Sequence, residues 1–268
     1  MRPGTASLVV LVSALLWLPV GHAHGATTVF LDELTWTELR DTIAAGRTTV
    51  IVPIGGTEQS GPHLTLGKHN VRVRALAERV ARELGDALVA PVVAYVPEGG
   101  VSPPTSHMRF PGTVTVPVET FERTLESAAR SFRLHGFRDI VLIGDHGGYQ
   151  SSLTAVERRL DREWAAAPVR VHAVLQYYRA SEDAYRQALR ARGYRDDEIG
   201  IHAGLADASL ALAVDPRVVR ADRLADAPRA ADGTYGDPRR ASAELGELGV
   251  NAIVRETAEA IRRATRRR

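Results

Sequence analysis

The residues most able to do chemistry in this chain are histidines. There are nine of them and no cysteine. His22 and His24 lie in or beside an apolar N-terminal segment. Five others, His63, His69, His107, His146 and His202, fall in Gly- or Pro-rich stretches, accompanied by Glu58 and Asp207. Imidazole is the commonest neutral metal ligand and the side chain that titrates near neutral pH. The lack of cysteine excludes thiolate ligands, thiol nucleophiles and disulfides. A metal in this chain must therefore be held by His, Asp and Glu. His135, at the end of a helical stripe, and His172, on a strand, read as incidental.

The elements that must position these residues follow from the hydrophobic pattern. Residues 49–54 form a β-branched run ending in Gly55-Gly56. Val73, Leu76, Ala77, Val80, Ala81 and Leu84 then follow helical spacing, with Asn70 as the expected N-cap and Gly85 as the stop. Residues 87–96 read as a buried strand with Pro91 as a bulge or edge. A helix stripe from Phe121 to Phe132, a strand at 139–143, a helix at 151–164 and a strand at 169–175 continue the alternation. Helices near 182–192 and 205–213 and an amphipathic helix around 250–261 complete it, with a loop-like stretch at 221–240. Such alternation predicts an α/β fold, a three-layer sandwich with a mostly parallel sheet. Ligands in such sheets bind beyond the carboxyl ends of the strands. Glu58 and His63 follow the first strand, His107 the second after a loop, and His146 the third.

Three segments carry most of this. They are Glu58-Gln59-Ser60-Gly61-Pro62-His63 with His69 beyond it, Gly144-Asp145-His146-Gly147-Gly148, and His202-Ala203-Gly204 with Asp207. Their order and spacing resemble those of the creatininase (creatinine amidohydrolase) family. Its motifs read Glu-Gln-His-Gly-Pro-His, Asn-Gly-His-Gly-Gly-Asn and His-Ala-Gly-x-x-Glu-Thr-Ser. His107 with Phe110-Pro111-Gly112-Thr113 resembles a fourth. The likeness runs from about residue 31 to the C-terminus. It implies an α/β/α sandwich, often oligomeric, that hydrolyses C–N bonds of linear or cyclic amides with divalent metals. It further implies that Glu58 and His146 bind metal, that His202 transfers protons, and that Asp207 stands where many members have a metal-binding Glu.

The departures matter as much. Ser60 replaces a ligand His, and His69 replaces an Asp that bridges two metals. A neutral imidazole has one lone pair and cannot bridge as a carboxylate does. Glu58, His69 and His146 still give two imidazoles and a carboxylate, the pattern of a catalytic zinc site with an open position. The expectation is one tight divalent site, Zn or Mn, with Asp207 either completing it or marking a weak second one. The metal would acidify water and polarise the amide carbonyl. Glu58 and His202 would be the catalytic pair, His202 passing the proton to the leaving nitrogen. His63, His107 and Ser60 would line the pocket or orient ligands. Asp145 reads as a turn or strand-end residue. The altered motifs point away from creatinine itself. A non-catalytic metal- or ligand-binding protein derived from the family is the competing reading.

Composition sets the remaining bounds. The 268 residues are 44% hydrophobic and 25% charged with a formal net charge of +2, an ordinary globular balance. No basic face interleaved with aromatics points to nucleic acid. Arg2, the apolar run at 8–20 and small residues before position 24 read as a signal peptide, 1–23, followed by one domain over 27–268. The expected product is an exported protein, periplasmic or secreted. It would have no membrane partner after cleavage, a small-molecule amide as substrate, and a homo-oligomeric assembly.

Overall fold

A computed structural model describes residues 28–227 and 232–266. The expected signal segment, 1–23, lies outside the described residues. Four strands, β1 (Thr49–Ile54), β2 (Ala87–Val89), β3 (Asp139–Gly144) and β4 (Arg170–Ala173), form one sheet in the order β2-β1-β3-β4. Every pairing is parallel. β1 and β3 are buried along their whole length, which is why their sequences are continuous apolar runs rather than alternations.

Among the described residues, ten helices surround the sheet: α1 (Trp36–Ala44), α2 (Lys68–Leu84), α3 (Val118–Leu134), α4 (Gln150–Glu163), α5 (Gln176–Glu182), α6 (Ala184–Ala191), α7 (Asp196–Ile199), α8 (Leu205–Val214), α9 (Ala221–Leu224) and α10 (Ala243–Thr265). Alternate strand residues face opposite layers. Ile51, Val141 and Ile143 pack with Val73, Leu76 and Val80 of α2 and with residues of α5, α6, α8 and α10. Val52, Ile54, Ile140 and Leu142 pack with Phe121 and Leu125 of α3 and Leu153, Val156 and Leu160 of α4. The result is the expected α/β/α sandwich. Among the described residues no helix is long and apolar enough to cross a membrane.

Two local differences from the sequence expectation bear on the site. The predicted strand at 87–96 keeps regular pairing only as far as Val89, because Pro91 has no N–H to give. The chain nevertheless continues beside β1, with Ala90 N–H donating to Ile51 O at 2.8 Å, Val93 N–H to Pro53 O at 3.0 Å, and Gly55 N–H to Val93 O at 3.0 Å. This irregular path carries Glu98 to the carboxyl end of the sheet. The second difference is at α2. The helix starts at Lys68, not after Asn70, so His69 sits on its first turn rather than in a loop. Freed from capping, the Asn70 side chain accepts the Gly56 N–H at 3.0 Å and donates to Thr57 Oγ1 at 3.2 Å, pinning the loop after β1. The approach is so close that a Cβ on Gly55 would lie 2.1 Å from Asn70 Oδ1. The expected helix at 182–192 is α6, and a further helix the sequence reading did not separate, α5, precedes it and meets it at Asp183.

Candidate active site

Glu58 leaves β1 through this pinned loop and is fully buried. Its backbone N–H donates to Leu66 O at 3.1 Å. One carboxylate oxygen, Oε1, faces His69 Nε2 at 2.7 Å. The other, Oε2, has no hydrogen-bond partner of good geometry. It lies 3.3 Å from His107 Nε2 and 3.4 Å from His146 Nε2. Glu58, His107 and His146 each offer a ligand atom within 4.8 Å of the others. His146 comes from the turn after β3, and His107 from a short 3₁₀ turn, Ser106–Arg109. A fourth acidic group stands beside them. Glu98 is 3% exposed and neither of its oxygens has a partner. Its Oε2 is 3.7 Å from His146 Nε2.

Burial sets the charge states here. It lowers the His146 imidazole to about 4. Burial, with Lys68 nearby, takes His202 down to about 3, and burial also lowers His107. These rings are neutral at neutral pH, the form that ligates metal. Burial pushes the Glu58 carboxyl up, but the His69 bond and the cations around it hold it well below the usual range. Glu98 has no cationic or imidazole partner of this kind, and burial together with the adjoining Glu58 carboxylate, through its charge and by accepting a shared proton, pushes it up to about 9. The Gln59 amide nitrogen lies 2.8 Å from His107 Nδ1, and Gly148 N–H donates to His146 Nδ1 at 3.2 Å. Both contacts leave the ring proton on Nε2, toward Glu58.

Behind this group runs a buried ionic network. His69 Nδ1 faces Asp145 Oδ2 at 2.6 Å, so both of its nitrogens are spent on carboxylates. Asp145 also accepts from Arg72 Nε at 2.8 Å and from Tyr177 Oη at 2.7 Å. Arg72 Nη1 reaches on to Asp207 Oδ1 at 2.6 Å. Asp207 is held as well by Lys68 Nζ and by the Ala203 N–H at 2.9 Å. Burial raises both aspartates and the cations more than cancel it. Asp145, next to Arg72, is held below its usual range, and Asp207, next to Lys68 and Arg72, well below. A cavity of about 260 Å³ opens beside the network, lined among others by Lys68, Arg72, His107, His146, Tyr178 and His202.

The structure thus gathers all the expected residues at one end of the sheet but distributes them differently. In place of Glu58–His69–His146, the ligand atoms that converge are those of Glu58, His107 and His146. His69 cannot turn a nitrogen to an ion without releasing a buried carboxylate. Asp207 stands in the ionic network rather than in that group. Asp145 stands in the bend at the end of β3, as expected, and its side chain is in addition the buried anchor of His69 and Arg72. His63 Nε2–H donates to Ala203 O, 2.9 Å away, tying the loop after β1 to the start of α8. Ser60 is buried with an unpartnered Oγ. His202 lines the cavity, its Nε2 3.0 Å from Gln59 O and its Nδ1 3.7 Å from Glu58 Oε1. Lys68, Arg72, Gln59 and Glu98 were not singled out from the sequence. Glu98 carried the same signal as Glu58, an acidic residue in a Gly-rich stretch after an apolar run. The others lacked one.

The profile of the creatininase family, described as creatinine amidohydrolase, matches residues 32–261. The chain belongs to the creatininase family. A creatinine amidohydrolase of Pseudomonas putida is 32% identical over 88% of this chain and 96% of its own length. A mycofactocin precursor peptide peptidase of Mycolicibacterium smegmatis is 35% identical over 50% of this chain and 52% of its own. Among solved structures, a manganese form of creatininase superposes with a TM-score of 0.75 at 31% identity, covering 89% of this chain and 99% of that one.

Proposed function

We propose that this creatininase-family chain is a metal-dependent hydrolase acting on the C–N bond of a small linear or cyclic amide. The observation that carries the reading is Glu58 Oε2, a buried carboxylate oxygen without a hydrogen bond, set 3.3–3.4 Å from two neutral imidazoles. A buried anionic oxygen left unpaired is costly, and a divalent cation between it and the two rings answers that cost. Glu58, His107 and His146 would hold the ion, Zn or Mn. When bound, such an ion polarises an amide carbonyl and acidifies water. Coordination through Nε2 puts each ring proton on Nδ1. The Gln59 amide must then turn its oxygen to His107, and the Gly148 N–H must turn away from His146.

The remaining steps belong to the chain's own groups. His202, neutral and donating from Nε2 to Gln59 O, keeps the Nδ1 lone pair free. That atom is placed to take a proton near Glu58 and pass it to the leaving nitrogen. The cavity of about 260 Å³ suits a small amide rather than an extended peptide. A single ion site is favoured, because Lys68 and Arg72 already neutralise Asp207. The sequence features of residues 1–23 support export, testable by cell fractionation, and family membership supports a homo-oligomer, testable by sedimentation.

The deciding experiment is metal content by elemental analysis together with hydrolysis of a panel containing creatinine, lactams, formamides and short peptides, with Zn²⁺ or Mn²⁺ added. One equivalent of metal, lost in Glu58→Gln, with turnover of a small amide is the expected result. No bound metal and no turnover of any substrate would sink the proposal.

A further inference from the structure

Glu98 is the most anomalous side chain in the structure. It is 3% exposed, yet both carboxylate oxygens lack a hydrogen-bond partner. Nothing in the fold requires an acid here: the residue sits in the irregular stretch between β2 and α3, and its backbone N–H is already satisfied by Thr115 Oγ1 at 3.0 Å. The side chain is nonetheless packed with care. A Cβ on Gly56 would lie 2.7 Å from Glu98 Oε1, so the loop that delivers Glu58 leaves room for this carboxylate only because position 56 is glycine. Oε2 points at His146 Nε2, 3.7 Å away, on the side where Glu58 Oε2 also faces that ring. Of these unpartnered carboxylate oxygens, Glu58 Oε2 faces both imidazoles and Glu98 Oε2 faces that of His146.

We propose that Glu98 is a fourth protein ligand of the divalent ion, completing a set of two carboxylates and two imidazoles with Glu58, His107 and His146. The inference rests on the metal-dependent reading given above. Two carboxylates and two neutral rings match the double charge of the ion, which resolves the apposition of two buried acids. A second carboxylate also shifts preference. Imidazole suits zinc, whereas carboxylate oxygen suits harder ions such as Mn²⁺. The sequence offered only one of these carboxylates as a ligand, so the extra one sets this site's chemistry apart from a two-imidazole, one-carboxylate zinc site.

The test is direct metal titration of chelator-stripped protein by calorimetry, with Mn²⁺ and Zn²⁺ separately, for the wild type and Glu98→Gln. Glutamine keeps the shape of the side chain and removes the charge. Glu98→Asp, which retracts the carboxylate, is measured alongside. The expected result is a loss of Mn²⁺ affinity of at least roughly 10-fold in Glu98→Gln, the scale of losses around metal sites, with a smaller loss for Zn²⁺. The absorption spectrum of the Co²⁺-loaded variant should change in band position and intensity. Equal losses for both ions with an unchanged Co²⁺ spectrum would mean that Glu98 acts only through its charge, and would overturn the assignment. Unchanged affinity in Glu98→Gln overturns it as well. A wild type that binds neither ion overturns the metal-dependent reading itself, so the two failures are told apart.

Discussion

Arg72 offers the sharpest test of the buried network. Its guanidinium is 9% exposed and joins two aspartates, through Nε to Asp145 at 2.8 Å and through Nη1 to Asp207 at 2.6 Å. Arg72→Met keeps most of the aliphatic volume and removes both contacts. Removing one partner of a buried pair costs about 3–5 kcal/mol, because a charge is left uncompensated. The lower end applies here, since Lys68 still neutralises Asp207 and Tyr177 still donates to Asp145. A domain of this size loses about 2–4 °C of melting temperature per kcal/mol, so about 3 kcal/mol predicts a fall of roughly 6–12 °C. The double variant Arg72→Met with Asp145→Asn should recover part of this, because it also removes the stranded charge. Thermal melts and guanidinium unfolding of the four proteins in the cycle give the coupling directly. A single variant within about 1 kcal/mol of wild type, below the cost expected for a broken buried pair, would refute the reasoning. Strictly additive single-variant losses would refute it too, since they would mean that the two side chains do not act on one another.

Further outcomes follow from the same geometry. His107→Ala should lower metal affinity by at least about 10-fold, measured as metal retained after dialysis against a weak chelator; full retention would return the ligand role to His69. His202→Ala should lower kcat by about 10²–10⁴ on any amide the wild type turns over, with metal content unchanged. Asp145 and Asp207 titrate below their usual range in the folded state. Their contribution is therefore present above the unfolded carboxylate pKa of about 3.9 and is lost as pH falls through the lower folded values. Melting temperature should stay level for these groups down to that pH and drop beneath it, and Asp207→Asn should blunt the drop. Gly55→Ala places a Cβ 2.1 Å from Asn70 Oδ1 and 2.9 Å from Asn70 Cα; overpacking of this kind costs about 1–3 kcal/mol, read as a lower melting temperature.

The sandwich was legible because its signals are local. Unbroken apolar strands, helical spacing in α2, α3 and α10, and glycine stops each report on a few neighbouring residues. The carboxyl-end rule then puts Glu58, His63, His107 and His146 at one end of the sheet. What stayed hidden was pairing at a distance. Arg72 on α2 reads in sequence as one more exposed arginine, and only the fold sets it against Asp145 and Asp207, 73 and 135 positions away. The start of α2 differs from its local signal for a related reason. Asn70 is a good N-cap by type, but its side chain is taken by Gly56 N–H in the loop after β1, a tertiary contact that outcompetes the local one. That shift of a few residues moved His69 from a flexible turn onto a helix, and so changed which nitrogen it could offer to what.

His69 shows what the exchange of an aspartate for a histidine entails. A carboxylate at this point would lie between Glu58 Oε1 and Asp145 Oδ2, adding a third buried negative charge that only cations could offset. An imidazole instead meets both oxygens, at 2.7 and 2.6 Å, with its own ring nitrogens. The neighbouring carboxylate, Asp207, is neutralised by Lys68 and Arg72 from the same helix turn and the next. Positive and donor groups of the chain thus stand where the family resemblance implies a bridging carboxylate and a second ion. Among the described residues here, the carboxylate oxygens left without such partners are Glu58 Oε2 and both of Glu98. The carboxylate oxygens left for an external cation therefore lie on one side of His146, which is what supports the proposal of a single ion there.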